Sequence, residues 1–251
     1  MHKIKIPWLR KLVQSTYLDV IGAVLIFSVC YFRNFHGTIY LDGEIQFGIP
    51  ISELGNQLKM GAYPLGVMST LGAIFSMLAT RFVSKQKNSG NVIGVVTTVN
   101  SGANDFLFGN GSALITYPLT FLTHSLAVKR WSKGEKIRCR DRFYYKIIIV
   151  AMFLAFALVY LGAYLFGGNT TGVFLFVVAL AFGLSLGATF SNAFKYQETW
   201  FSWSIYNVVQ LVKNLILMNL ANVVKYIFYL FNATLTLYDW TVNGDVKVTH
   251  E

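Results

Sequence analysis

The sequence predicts an all-α membrane protein with eight transmembrane helices. One extra N-terminal helix precedes a 3+1+3 parallel-repeat bundle, in which two three-helix repeats are joined by a linker helix. Three observations predict it. The 251 residues are 55% hydrophobic and only 13% charged, with a mean hydropathy of +0.52, which is too apolar for an ordinary soluble domain. Apolar runs of bilayer-crossing length, about 17–25 residues, recur along the whole chain. Basic residues gather in alternate loops between those runs.

The expected spans are residues 17–34, 62–82, 92–108, 112–129, 145–166, 172–193, 199–217 and 219–238. Lys3, Lys5, Arg10 and Lys11 precede the first, and no small-residue cleavage site follows it, so it reads as a retained span rather than a signal peptide. Asp19, near its start, is expected at the interface. Segment 34–61 carries Asp42, Glu44 and Glu53 with Pro50 and several glycines, and reads as an external loop with a short interfacial helix. Arg81, Lys85 and Lys87 follow the second span. The third is the weakest, because TTVNSGANDF is unusually polar. The loop after the fourth is the most basic, with Lys129, Arg130, Lys133, Lys136, Arg138, Arg140 and Arg142. No Lys or Arg follows the third or fifth span, so the alternation places both termini in the cytoplasm. In the sixth, Gly183, Gly187 and Ser191 form a ladder of small residues suited to close helix packing. Lys213 and Lys225, near the outer ends of the last two spans, are expected to snorkel to the interface. Pro64 and Pro118 are placed to kink or begin helices.

Composition also narrows the function classes. The net charge of +10 lies in short loops, which argues for the positive-inside rule and against nucleic acid. Cys30 and Cys139 lack metal-ligand spacing, as do His2, His36, His124 and His250, so no metal or cofactor is expected. An intramembrane enzyme would lack its nucleophile, base or metal cluster. A purely structural membrane protein would account for the aromatic content but not for one polar stripe in each repeat.

Those repeats emerge when residues 91–131 are set against 198–240. Asn100 then lies opposite Asn207, and each half ends near a tryptophan, Trp131 and Trp240. The chain reads as a single membrane domain, 1–251, with an extra helix 17–34, a first repeat 62–129, a linker helix 145–166 and a second repeat 172–238.

Residues 197–210 read QETWFSWSIYNVVQ. At about 100° per residue, Trp200, Trp203, Asn207, Gln210 and Asn214 fall on a stripe about 80° wide. Val208, Val209, Leu211 and Leu215 lie off it. Thr97, Asn100, Ser101 and Asn104 share a face about 100° wide on the third span, with Asp105 near its outer end. Polar groups without partners are costly in hydrocarbon, so the two faces are expected to meet across a cavity. Other readings stay open beside this one. Trp200 suits an interfacial aromatic belt. Asn207 and Gln210 suit hydrogen-bonded glue between helices. Asn214, near the outer end, suits solvation or capping.

Trp200-x-x-Trp203-x-x-x-Asn207 on the central helix of the second repeat resembles the WxxW motif of the PnuC family, the bacterial nicotinamide riboside transporters. Length, hydropathy, basic-loop placement and repeat organisation extend the resemblance over nearly the whole chain. It implies a SWEET-like fold, a homotrimer in the bacterial inner membrane, and facilitated diffusion of vitamin B3 as its riboside. Cytoplasmic phosphorylation for NAD biosynthesis would trap the cargo. Thiamin, or another nucleoside-like vitamin carried by relatives, is the alternative substrate.

The chemistry of the residues agrees with that implication. Nicotinamide riboside is a flat pyridinium cation with an amide and a ribose. A cation over a Trp face gains about 0.5–2 kcal/mol, and Trp200 and Trp203, one turn apart, are expected to grip or flank the ring. Asn207 and Gln210 suit the carboxamide and hydroxyls, with Thr97, Asn100 and Asn104 contributing from the opposite repeat. No carboxylate lies on the main stripe, so the cation would rest on π faces and amide oxygens. Lys213 lies about 100° or more from the stripe centre. With no cation placed for a phosphate, the mononucleotide is expected to be rejected.

Overall fold

The computed structural model describes residues 5–33, 35, 37–41, 44–49, 65–107, 109–134, 136–216, 219–244 and 246–247. Nine helices lie among them. They are α1 (Pro7–Gln14), α2 (Thr16–Phe32), α3 (Leu65–Ser84), α4 (Ser89–Leu107), α5 (Ala113–Trp131), α6 (Arg142–Phe166), α7 (Gly172–Ala193), α8 (Thr199–Ile216) and α9 (Leu220–Asn243). Each expected span coincides with one of α2 to α9 to within a few residues. Four helices, α3, α6, α7 and α9, are long and apolar enough to cross a membrane, and α1 with α2 qualifies as one span bent by 46°. Helices α4, α5 and α8 fall short by composition because polar side chains cover their inward faces.

That distribution is inside out. On α8 the exposed large residues are Phe201, Ile205, Val208, Val212 and Leu215, while Ser202, Asn207, Gln210 and Asn214 are buried. On α4, Val92, Val96, Val99 and Phe106 face outward and Asn91, Thr97, Thr98 and Asn104 inward. In water such helices would expose a large apolar surface. In a bilayer they present hydrocarbon to lipid and keep polar groups in the protein. The chain is a multi-pass membrane protein.

Packing follows a regular scheme. Helix α3 packs on α4 and α4 on α5; α7 packs on α8 and α8 on α9. Helix α5 meets α7 and α9 meets α3, while α2 lies against α3 and α9 as α6 lies against α7 and α5. Two hydrogen bonds cross in matching positions. The Trp131 indole donates to the Asn192 carbonyl at 2.8 Å, and the Trp240 indole donates to the Ser84 carbonyl at 3.0 Å. The small-residue ladder of α7 is a packing face as expected. A Cβ at Gly183 would lie 2.5 Å from Met152 Sδ, and one at Gly187 would lie 3.0 Å from Ile148 Cδ1.

The two ends of the bundle differ in charge. At one end the loops carry Lys87, the 129–142 basic run and Lys195. Here a short strand, Ile137–Arg138, pairs in parallel with another, Val246–Lys247, and Arg138 exchanges backbone hydrogen bonds with Lys195 and Gln197. Asp141 caps α6 by accepting from the Tyr144 amide at 2.8 Å. Burial alone would raise its carboxyl pKa, but that amide, the Tyr196 hydroxyl and Arg138 hold it below the usual range. At the other end, the α4–α5 and α6–α7 turns meet through an Asn169 amide donating to Gly109 at 2.7 Å.

Several expectations need correction. The described part of segment 34–61 holds an antiparallel strand pair, Gly37–Leu41 with Glu44–Ile49, rather than a helix; residues 50–64, with Pro64, lie outside the described residues. Pro118 lies inside α5, so of its two expected roles it does not begin the helix. Helix α1 was not expected. It docks on α9, where Arg10 pairs with Asp239 at 3.1 Å and Asn243 exchanges hydrogen bonds with the Ile6 backbone. Asp19 and Arg81 are not solvated interfacial charges. Asp19 is buried and accepts from Arg81 Nε at 2.7 Å and from Lys85 Nζ. Arg81, fully buried, also donates to Asn232 Oδ1 at 2.7 Å and to the carbonyls of Val13 at 2.7 Å and Ser15 at 3.0 Å.

Candidate functional site

A cavity of about 180 Å³ lies between the polar faces of α4 and α8 and is completed by α3, α5, α7 and α9. All seven residues expected to meet a ligand line it: Thr97, Asn100, Asn104, Trp200, Trp203, Asn207 and Gln210. They differ in how far the protein already engages them. Thr97 donates back to the Gly94 carbonyl at 3.2 Å, as a helical threonine can. The Asn100 amide donates to the Met68 carbonyl at 3.3 Å, and a Cβ at Gly72 would sit 2.0 Å from it, so this glycine is what admits the amide. Gln210 accepts weakly from Asn214 at 3.4 Å.

Asn207 is different. It is 3% exposed, lines the cavity, and makes no side-chain hydrogen bond to another described residue. The glue reading needs such a bond to a neighbouring helix. Across the cavity, Asn104 Oδ1 is buried and lacks a partner among the described residues. Two carboxamides thus present open polar atoms to one space. Buried polar groups are normally hydrogen-bonded, and unpartnered ones mark places where a ligand or water completes the set.

The tryptophans do not form a parallel clamp. Trp200 and Trp203 meet edge to face, with centroids 4.9 Å apart and planes at 77°. Trp200 is fully buried and meets Trp240 edge to face at 5.5 Å, so it is no lipid-facing belt residue. Trp240 in turn contacts Trp131 at 6.3 Å. Trp200 and Trp203 line the cavity, and Trp131 and Trp240 pack with Trp200 in the buried cluster behind them. Trp203, only partly buried, is the indole placed to offer a ring surface to a cargo.

Reading angle from a single stripe missed much of the opposite end. Asp105 lines the cavity there and pairs with Lys213 Nζ at 3.1 Å, so Lys213 does not snorkel to the interface. Lys225 does not either. It is 6% exposed, lines the cavity, and lies over the rings of Tyr226 at 4.3 Å and Tyr229 at 5.7 Å. The wall therefore does contain cations, and the premise for excluding a phosphate falls. Asn214 is buried rather than solvated, donating to the Gln210 carbonyl at 2.8 Å. His124, set aside for want of metal-ligand spacing, is also in the wall, with Nδ1 unpartnered among the described residues. Tyrosines complete the set: Tyr206 and Tyr226 share a hydrogen bond at 3.3 Å, and Tyr229 shares one with Ser76 at 2.7 Å. The polar spacing on α4 and α8 was visible in sequence. The tyrosines and the single lysine of α9 looked like an apolar span with an interfacial anchor.

Among the described residues, no cluster of three or more potential metal ligands occurs. The arrangement offers amides, hydroxyls, one indole surface and a small set of charges, which suits reversible binding of a polar, ring-bearing molecule.

Comparison with known proteins agrees with this reading. The family model described as "Nicotinamide mononucleotide transporter" matches residues 66–242. The fold is similar to one described as "Crystal structure of the Vitamin B3 transporter PnuC", with a TM-score of 0.62 and 15% identity, covering 93% of this chain and 95% of that one. No curated protein matches the sequence.

Proposed function

Because the chain belongs to the nicotinamide mononucleotide transporter family, and is a membrane transporter rather than an enzyme, we propose that it carries nicotinamide riboside into the cytoplasm by facilitated diffusion. Phosphorylation inside the cell then traps the cargo for NAD biosynthesis. The observation that carries this reading is the open carboxamide of Asn207, one turn from Trp203 and facing Asn104 across the cavity. The pyridinium packs on Trp203 and the amides meet the carboxamide and ribose; Thr97, Asn100 and Gln210 complete the polar lining, and Trp200 backs Trp203. The matched placement of α3–α5 and α7–α9 supports the two-repeat reading, with α2 standing to the first triplet as α6 stands to the second. The protein is proposed to span the bacterial inner membrane eight times and to assemble as a homotrimer.

Calorimetric titration of the purified protein with nicotinamide riboside and with thiamin tests the cargo. The riboside is expected to bind more tightly. Thiamin, the alternative, is also a flat cation, and a preference for it would reassign the substrate. Asp105 is the cavity's one carboxylate among the described residues, and Lys213 already neutralises it, which leaves no obvious seat for a driving ion. In proteoliposomes, riboside uptake is therefore expected to stop at equilibrium whether or not a proton or sodium gradient is imposed. Accumulation above equilibrium would refute uncoupled transport.

Sidedness has its own test. The basic end, with both termini, is proposed to face the cytoplasm. Cys139 is exposed in the basic loop, whereas Cys30 is buried. A thiol reagent that cannot cross membranes is expected to label Cys139 only after permeabilisation. In a Cys139→Ser background it should label Thr170→Cys in intact cells. Thr170 is exposed; its neighbour Gly168 is unsuitable, because its φ is +93° and a Cβ there would lie 2.2 Å from the Gly109 carbonyl oxygen. The reverse labelling pattern would invert the topology.

A further inference from the structure

Tyr206 of α8 and Tyr226 and Tyr229 of α9 form an aromatic corner in the cavity wall. Tyr226 meets Tyr206 edge to face, with centroids 5.9 Å apart, and meets Tyr229 edge to face at 5.7 Å. Hydroxyl bonds fix the rings. Tyr206 and Tyr226 share one at 3.3 Å, and Tyr229 shares one with Ser76 of α3 at 2.7 Å. Tyr206 follows Trp203 by about 5 Å along α8, so the corner begins where the indole surface ends.

The corner already holds a cation. The ammonium of Lys225, a residue only 6% exposed, lies over Tyr226 at 4.3 Å and over Tyr229 at 5.7 Å. It makes no hydrogen bond or ion pair with another described residue. The wall's one carboxylate among the described residues, Asp105, is bonded to Lys213 at 3.1 and 3.2 Å. An ammonium withdrawn from water needs compensation, and among the described residues these ring faces are what Lys225 touches. The contact reveals what the corner attracts. The negative face of a tyrosine draws an ammonium, a quaternary nitrogen or a pyridinium through the same quadrupole. A cationic ring entering the cavity would compete with Lys225 for these faces, and would be repelled by it while it stays.

We propose that Tyr226, with Tyr229 and Tyr206, forms a second cation seat beside Trp203, and that Lys225 is its tethered occupant, filling the seat in the empty transporter and yielding it to the positively charged ring of the cargo. The inference rests on reading the cavity as the cargo site. Lys225 is then an internal competitor that lowers the affinity for cations, not a ligand of the cargo. A displaced ammonium has a place to go. Asn222, one turn earlier on α9, lines the cavity, and its side-chain oxygen can accept from it.

Calorimetric titration of the full chain in nanodiscs tests this with nicotinamide riboside, with the N-methylnicotinamidium cation, which keeps the charged ring without the ribose, and with nicotinamide, its uncharged counterpart. Lys225→Met is expected to tighten N-methylnicotinamidium binding about 3- to 30-fold, the range for gaining a desolvated ring face, and to leave nicotinamide unchanged. Lys225→Arg keeps a cation on the rings and should show no such gain. In the Lys225→Met background, Tyr226→Phe keeps the ring face and should keep the gain, whereas Tyr226→Leu should abolish it. A gain that survives Tyr226→Leu is plain relief of charge repulsion and overturns the seat. So does a Lys225→Met protein that binds the cation no better than the parent, or one that tightens nicotinamide equally. Should Lys225→Met fail to fold, Lys225→Gln carries the same expectations. A folded parent that does not bind the riboside refutes the cargo reading, and this inference with it. A parent that binds the riboside while Lys225→Met gains nothing leaves the cargo reading standing and removes the seat alone.

Discussion

Replacing Arg81 by leucine is expected to destabilise the protein by about 3–5 kcal/mol, the cost of removing one member of a buried charge network. The guanidinium joins three separate elements. It binds Asp19 of α2, Asn232 of α9 and the carbonyls of Val13 and Ser15 at the bend between α1 and α2. Without it, Lys85 remains on Asp19, but the two carbonyls and Asn232 lose their donor. Arg81→Lys should rescue little, because one ammonium cannot reach four acceptors laid out for a planar fork. Thermal unfolding in detergent measures the effect. A melting temperature equal to the parent's would show that the network contributes specificity rather than stability.

Asn207→Leu and Trp203→Ala are each expected to weaken riboside binding about 5- to 150-fold while the protein still inserts and folds. This is the range for losing one buried interaction of about 1–3 kcal/mol. Asn207 has no partner within the protein among the described residues, so its replacement removes nothing the empty fold uses. Val208→Leu and Val212→Leu make suitable controls, since both positions are exposed on the outer face of α8. Leu211 is a poor control because it packs against the core between α2, α3 and α9. Trp200→Ala is equally poor, because it opens the buried cluster with Trp131 and Trp240 and confounds binding with stability. If the folded Asn207→Leu and Trp203→Ala proteins bind like the parent, the α8 face is packing and the cargo sits elsewhere.

Helix positions were readable in sequence because a bilayer imposes a length and a polarity on each element. The polar stripe of α8 was readable because Asn and Gln at helical spacing have few uses in hydrocarbon. What sequence hid was pairing across distance. Asp105 and Lys213 are 108 positions apart, and Lys213 near a helix end is equally compatible with snorkelling or with a buried ion pair. Asp19, expected at the interface, and Arg81 and Lys85, counted among the basic residues after the second span, were hidden in the same way: they form an internal network. Helix α1, of eight residues, is too short to show a hydropathy peak. The strand pair at 37–49 did leave a sign. Asp42-Gly43 flanked by β-branched and aromatic residues is a hairpin turn signal.

The crossed indole bonds carry a mechanical consequence. Trp131 holds the end of α7 and Trp240 holds the end of α3, so two pins join the halves of the bundle near the basic loops. They are not alone, because Asn192 donates to Asn91 at 2.9 Å and Arg81 to Asn232 at 2.7 Å across the same seam. Parting the halves at this end therefore breaks four buried hydrogen bonds, each costing about 1–3 kcal/mol when a partner is left unpaired.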